Sequence, residues 1–212
     1  MPVSETNITS SVIIRSNKIL RNGDVVFESL IDGLEFLREA YEEGLKIDYP
    51  KFYKMDVLGK LGIIATDVLL KDFDFAKYKS EEVGIVLSNK NASIEADINY
   101  FETARTFPSP ALFVYTLPNI VIGEISIRYK FKGENAFFVS EGFDADWLYF
   151  YVNDIISRGL KACICGWVEA SENNFDVCIF LVETSPTLQN GMLFDPNNLK
   201  DIYSGNNLYL VT

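Results

Sequence analysis

The chain has 212 residues, 48% of them hydrophobic and 14% aromatic, enough to bury a sizeable core without disulfide or metal staples. A formal charge of −11, with a sequence pI near 4.5, opposes binding to nucleic acid and to anionic membranes. The absence of histidine removes Ser-His and Cys-His nucleophile activation, the imidazole proton shuttle and most zinc sites together.

The opening "MPVSETNITSS" has neither a basic n-region nor an apolar h-region, and no apolar run approaches the roughly 18 residues of a membrane helix, so the expectation is a cytoplasmic protein. "SVIIRS" and "DVVFES" are strand signals separated by a turn at "RNG". "IDGLEFLREAYEEG" places Leu34, Leu37 and Tyr41 at helical spacing and stops at Gly44. In "YKMDVLGKLGIIATDVLLKD" the residues Val57, Leu61, Ile64 and Val68 make a core-facing helical stripe.

"EEVGIVLSNK" is a short apolar strand, followed by a helix in "ASIEADINYFETA". Pro108, Pro110 and Pro118 punctuate "TFPSPALFVYTLPN" as a loop, and Pro118 suits the first turn of a helix over "PNIVIGEISIRYKF". Gly123 inside that helix implies close packing against a neighbour. Arg128, Lys130 and Lys132, the densest basic group, read as a solvated face at the helix end, complementing its dipole.

"NAFFVS" is a strand. The corner Glu141-Gly142-Phe143-Asp144 leads from it into a helix whose inward stripe is Trp147, Tyr151 and Ile155. Asp144 and Asp146 in the first turn suit capping. "KACICGWVEAS" and "FDVCIFLVET" are near-continuous apolar strands joined as a hairpin by "SENN", and the tail is turn-rich with a final candidate strand. Cys163, Cys165 and Cys178 lie in these runs and read as buried reduced thiols; three sulfurs do not complete a tetrahedral metal site. No metal or cofactor is expected. The alternation of elements predicts one layered α/β domain over residues 1–212, with a mixed β-sheet covered by helices.

Three segments carry a family resemblance. "SPALFVYTLPNIVIGEISIRYKFKGENAFFVS" resembles the segment before the nucleophile in β-ketoacyl-acyl carrier protein synthases, with its proline loop, TLPN-like turn, early helix glycine and KGxN-like turn. "GLKACICGWVEA" resembles the strand that follows, with its Glu-Ala-like turn at Glu169, and "GIVLSNKNASIEADINYFETA" resembles the earlier strand and helix. The resemblance spans about residues 55–185 and implies the N-terminal half of a thiolase-like fold.

In that family a cysteine at the head of a buried helix takes the acyl group, its thiolate favoured by the helix N-terminus. Aligning Ser140 with the serine of the family's elbow puts Phe143 at the nucleophile position, and a phenyl side chain cannot be acylated. Complete ketosynthases have a second, similar half that supplies two histidines. This sequence resembles the first half alone and has no histidine. Catalysis by the usual mechanism is therefore not expected. Ser140 has no histidine base, Phe143 reads as a space-filling helix-entry residue, and Glu169 as a structural hydrogen-bond acceptor.

The resemblance implies an accessory subunit of fatty acid, polyketide or polyene biosynthesis, comparable to the chain length factors that pair with an active ketosynthase. Dimers of the family join through the strand before the nucleophile, here Asn135, Ala136, Phe137, Phe138, Val139 and Ser140, which implies a homodimer or a heterodimer with a complete ketosynthase. The alternative is a module binding an acyl chain or acyl carrier protein, with Arg128, Lys130 and Lys132 as the docking patch. A third reading, unfamiliar chemistry at Cys163, Cys165, Ser140 or the acidic elbow, rests on single residues.

Overall fold

The computed structural model describes residues 5–171, 174–185 and 191–205. Its centre is a mixed sheet of eight strands among the described residues: β1 (Glu5–Arg15), β2 (Lys18–Arg21), β3 (Asp24–Glu28), β4 (Val83–Asn89), β5 (Asn135–Val139), β6 (Ala162–Ser171), β7 (Asn174–Ser185) and the short β8 (Met192–Leu193). The order across the sheet is β3-β2-β1-β7-β6-β4-β5, with β8 beside β1. β4 runs parallel to β5 and β6; the other pairings are antiparallel.

Among the described residues seven α-helices pack around it: α1 (Gly33–Glu39), continued by a π-turn over Ala40–Gly44, α2 (Val57–Leu69), α3 (Ile94–Ala104), α4 (Pro110–Phe113), α5 (Ile120–Tyr129), α6 (Ala145–Ser157) and α7 (Pro196–Ser204). Because strand side chains alternate, each central strand feeds two cores. Ile85, Leu87, Ile164, Val177 and Ile179 face α1, α2 and α5, where they meet Phe36, Leu61, Ile64 and Val121. Val86, Cys163, Cys165, Cys178 and Phe180 face α6 and α7, where they meet Leu148, Val152, Ile155 and Leu199. Two covered faces explain why these strands are apolar without a break. Each fully buried Leu or Ile contributes about 1.5–3 kcal/mol of transfer free energy.

The structure corrects several sequence expectations. "SVIIRS" and "DVVFES" are not neighbours: β2 lies between them, reached by tight turns at Ser16-Asn17 and Asn22-Gly23, all four in left-handed conformation. Paired left-handed residues match the twist of two-residue hairpins, so the alternation of strand and helix begins only after a three-stranded meander. On α1 the inward residues are Phe36 and Leu37, continued by Ala40 and Tyr41, while Leu34 in the first turn is half exposed. On α6 the buried stripe is Ala145, Leu148, Val152 and Ile155. Trp147 and Tyr151 lie at its rim and gather around Phe138, with ring centroids 4.3 and 5.0 Å away. The sheet ends at β5, so wide rings suit this boundary better than the enclosed stripe. Pro118 precedes α5 rather than opening it, since Asn119 is the N-cap. The hairpin of β6 and β7 forms as expected, and the final candidate strand lies outside the described residues.

Gly123 also differs from expectation. A Cβ there would meet nothing nearer than Ile120 Cδ1 at 3.9 Å; the close contact between α2 and α5 belongs to Gly62, whose added Cβ would lie 2.2 Å from Val121 Cγ2. Gly123→Ala is therefore expected to stabilise the protein by about 0.5–1 kcal/mol, the helix-propensity difference, as a rise in the urea midpoint with unchanged slope. Gly62→Ala should do the opposite.

Candidate functional site

The corner after β5 is held by local hydrogen bonds together with contacts to β4 and α7. Ser140 N–H donates to Asn89 O at 2.9 Å and its Oγ donates to Gly142 O at 3.0 Å. Glu141 and Gly142 are exposed. Asp144 is the N-cap of α6, accepting the Trp147 N–H at 2.9 Å, and Asp146 pairs with Lys200 on α7 at 2.6 Å. Both acids thus serve the helix and its neighbour. None of residues 140–144 has the left-handed backbone seen elsewhere in the chain.

Phe143 turns inward. Its ring stacks on Tyr203 of α7 at 4.4 Å and lies 6.2 Å from Phe180 of β7. Tyr203 is fixed in turn: its hydroxyl donates to Asp176 Oδ2 at 2.7 Å, and the Arg15 guanidinium lies 4.2 Å from its ring centroid. Arg15 also pairs with Asp176 at 2.5 Å and donates to the Tyr203 carbonyl. Burial, then the Asp176 carboxylate, pushes the Tyr203 hydroxyl up to about 12, so it remains a neutral donor. Arg15, Asp176 and Tyr203 escaped the sequence reading because they come from three distant segments.

Glu169 lies within β6 rather than in a turn after it. Its buried carboxylate accepts the N–H groups of Lys90 and Asn91 at 2.6 and 3.1 Å and the Asn91 amide at 3.2 Å. It fastens the loop from β4 to α3, where Asn89 and Ala92 also exchange two hydrogen bonds. The three cysteines are free and buried on the α6 face. Burial pushes the Cys165 and Cys178 thiols up, which disfavours thiolate.

Among the described residues β5 is an edge strand, hydrogen-bonded to β4 alone. Ile85 N–H donates to Glu134 O and Ser140 N–H to Asn89 O, so the even-numbered residues face β4. By the alternation of a parallel ladder, Asn135, Phe137 and Val139 turn their backbone groups to the open side. Phe137 packs into one core and Phe138 into the other, while Val139 is 58% exposed.

A second apolar surface was not foreseen. Ile94, Ile98 and Phe101, at i, i+4 and i+7 on α3, are all more than half exposed, as are Phe107, Phe113 and Leu117 in the following segment. The helical spacing of the three is present in the sequence, but only the fold reveals that the stripe faces outward. At the basic group, Arg128 is already committed: it pairs with Asp67 at 2.5 Å and lies over Tyr49, leaving Lys130 and Lys132 exposed.

A cleft of about 200 Å³ opens where the N-termini of α2 and α3 meet Leu112, Tyr115 and Ala170. Desolvation raises the Asp56 carboxyl in it to about 6, against the opposing effects of the Gly59 N–H and Lys60, and burial lowers the Lys60 ammonium. Behind the cleft, Glu124 is buried against Lys51 at 2.6 Å and accepts the Tyr115 hydroxyl at 3.4 Å. No single helix among the described residues is long and apolar enough to cross a membrane.

No protein-family model matches the sequence, and neither does any curated protein. Solved structures do resemble it. A chain from AntDE:AntF, a type II polyketide synthase acyl carrier protein in complex with its ketosynthase bound to the hexaketide, superposes with a TM-score of 0.60 at 16% identity over 85% of this chain. A β-ketoacyl synthase from Burkholderia phymatum STM815 gives 0.54 at 11% identity over 86%. This chain spans only 63% and 60% of those two chains. A chain from the complex of the ketosynthase ApeO with its chain length factor ApeC, from Xenorhabdus doucetiae, gives 0.55 at 12% identity, and there 94% of this chain covers 90% of the other. The chain has the thiolase-like α/β fold of ketosynthase and chain length factor structures.

Proposed function

We propose that the chain is a non-catalytic, ketosynthase-like accessory subunit, of the chain-length-factor kind, joining a complete ketosynthase of a fatty acid, polyketide or polyene pathway through the open edge of β5. The observation that carries this reading is the edge itself: among the described residues nothing pairs with the backbone groups of Asn135, Phe137 and Val139, on a strand whose aromatic side chains are already anchored in both cores. An open edge of this kind is an aggregation hazard unless a partner strand covers it. Two further observations support it. A chain of nearly the same extent is matched in a ketosynthase–chain length factor complex. At the corner where an acylated cysteine would stand, the Phe143 ring is packed on Tyr203.

The test is size-exclusion chromatography with light scattering of the chain mixed with complete ketosynthases of its host. A 1:1 complex is expected, and Val139→Lys, which places a charge on the open edge, should abolish it. Val139 is exposed, so the variant should keep its stability within about 0.5 kcal/mol. A wild-type chain that stays monomeric beside every such ketosynthase, or a complex indifferent to Val139→Lys, would overturn the reading.

A further inference from the structure

At the opposite end of β4 from the loop that Glu169 holds, five aromatic rings surround a cavity of about 220 Å³: Phe73, Phe75 and Tyr78 from the segment before β4, Tyr129 at the end of α5, and Phe131 after it. The rings form two sets at right angles, Phe73 with Tyr78 and Phe75 with Tyr129 and Phe131: Phe73 stands at 89° to Phe75 and 87° to Phe131. Phe73 and Tyr78 are 9° apart, Phe75 and Phe131 12°, and Phe75 and Tyr129 13°, with centroids 5.4 to 6.2 Å apart. A cavity of about 150 Å³ suffices for benzene, so this one has room for a substituted ring.

The polar ends of the two tyrosines are tied outside. Tyr129 donates to Asp67 Oδ1 at 2.6 Å and Tyr78 donates to Glu183 Oε1. Burial and these carboxylates push both hydroxyls up, so both stay neutral and fixed, and the rings present faces and edges to the cavity. Phe75 is half exposed and closes one side. The remaining lining is Ser80, Val83 and two lysines, Lys79 and Lys130, both exposed. Lys130 occupies the left-handed position that ends α5, at φ 60°, where glycine is usual. In a chain of net charge −11, the lining bears two lysines and no carboxylate, with Asp74, Glu82 and Glu183 acting on Tyr78 from outside it.

We infer that this cup is a binding site for a planar aromatic or conjugated carboxylate, its ring among Phe73, Phe75, Tyr78, Tyr129 and Phe131 and its carboxylate between Lys79 and Lys130. Flat ligands gain from offset-stacked and edge contacts that a puckered ring of equal size cannot make. The two ammonium groups reject a cation that the rings alone would accept. The inference is independent of the β5 edge and does not require a ketosynthase partner.

Benzoate is the probe, with cyclohexanecarboxylate and benzylamine as controls, read by calorimetry and by shifts of the protein's aromatic proton resonances. Saturable benzoate binding is expected, about ten-fold tighter than cyclohexanecarboxylate, with benzylamine not binding. Phe75→Ala should weaken benzoate about ten-fold. The Lys79→Ala, Lys130→Ala double variant, which leaves every ring in place, should weaken it and flatten its salt dependence. Absence of saturable benzoate binding, equal affinity for cyclohexanecarboxylate, preference for benzylamine, or binding unchanged in Phe75→Ala would each overturn the inference.

Discussion

Gly166→Ala is expected to leave little or no folded protein. Gly166 sits in the middle of β6 at φ 140°, a conformation that L residues rarely adopt, and an added Cβ would stand 2.2 Å from the Cys178 carbonyl oxygen and 2.8 Å from Ile179 Cα. Those are backbone atoms of β7, so no side-chain rotation relieves the overlap. Either the β6–β7 pairing opens or the strand distorts where both faces are buried. The cost should exceed about 4 kcal/mol, the exceptional range for one substitution and a large part of the 5–15 kcal/mol that stabilises a typical domain. Soluble yield and the far-ultraviolet circular dichroism spectrum report it. Gly142→Ala is the control: nothing lies within 4 Å of its added Cβ, so stability should stay within about 0.5 kcal/mol.

Glu169→Ala should be the next most damaging change, at about 3 kcal/mol. It strands the N–H groups of Lys90 and Asn91 in a part-buried loop and leaves the Asn91 amide without its acceptor. Glu169→Gln should cost about half as much. Its single carbonyl oxygen can still receive both N–H groups, and a rotated Asn91 amide can accept from the new NH2. Urea unfolding measures the two costs. Amide exchange localises them, because protection should fall first at Lys90 and Asn91. Equal stability of Glu169→Ala and the parent would show that the loop holds without this carboxylate.

The fold was legible where burial on both sides leaves a simple trace. β4, β6 and β7 appear as apolar runs, and α2 as a stripe, because nothing else competes for those positions. β2 was missed although Asn17 and the Asn22-Gly23 pair, both suited to left-handed turns, bracket it; four residues are too few for period-2 alternation to register. α7 was missed although "DPNNLKDIYSG" carries an N-cap aspartate, a proline at the first helical position and a closing glycine. Those local signals were outweighed by the turn-forming composition around them.

At the site, Phe143 and the N-cap Asp144 were readable in order along the chain. The brace of Arg15, Asp176 and Tyr203 was not, since its members lie in β1, β7 and α7 and meet only after the sheet has closed. The basic group shows the converse limit. Sequence proximity joined Arg128 to Lys130 and Lys132, whereas the helix turns Arg128 toward Asp67 and leaves the lysines to solvent. The aromatic cup went unseen because its rings come from both sides of β4 and approach only in three dimensions.

The position of β7 at the middle of the sheet also constrains how the chain acquires its shape. β1 finds its principal partner in β7, so Thr9 hydrogen-bonds to Leu181 across 172 positions of sequence. During synthesis the meander of β1, β2 and β3 emerges long before the strand that must lie against it. Closing so long a loop is entropically slow. Until that happens, Val12, Ile13 and Ile14 stand on an uncovered flank, and the nascent protein is at its most vulnerable to a chaperone's grasp or to another copy of itself.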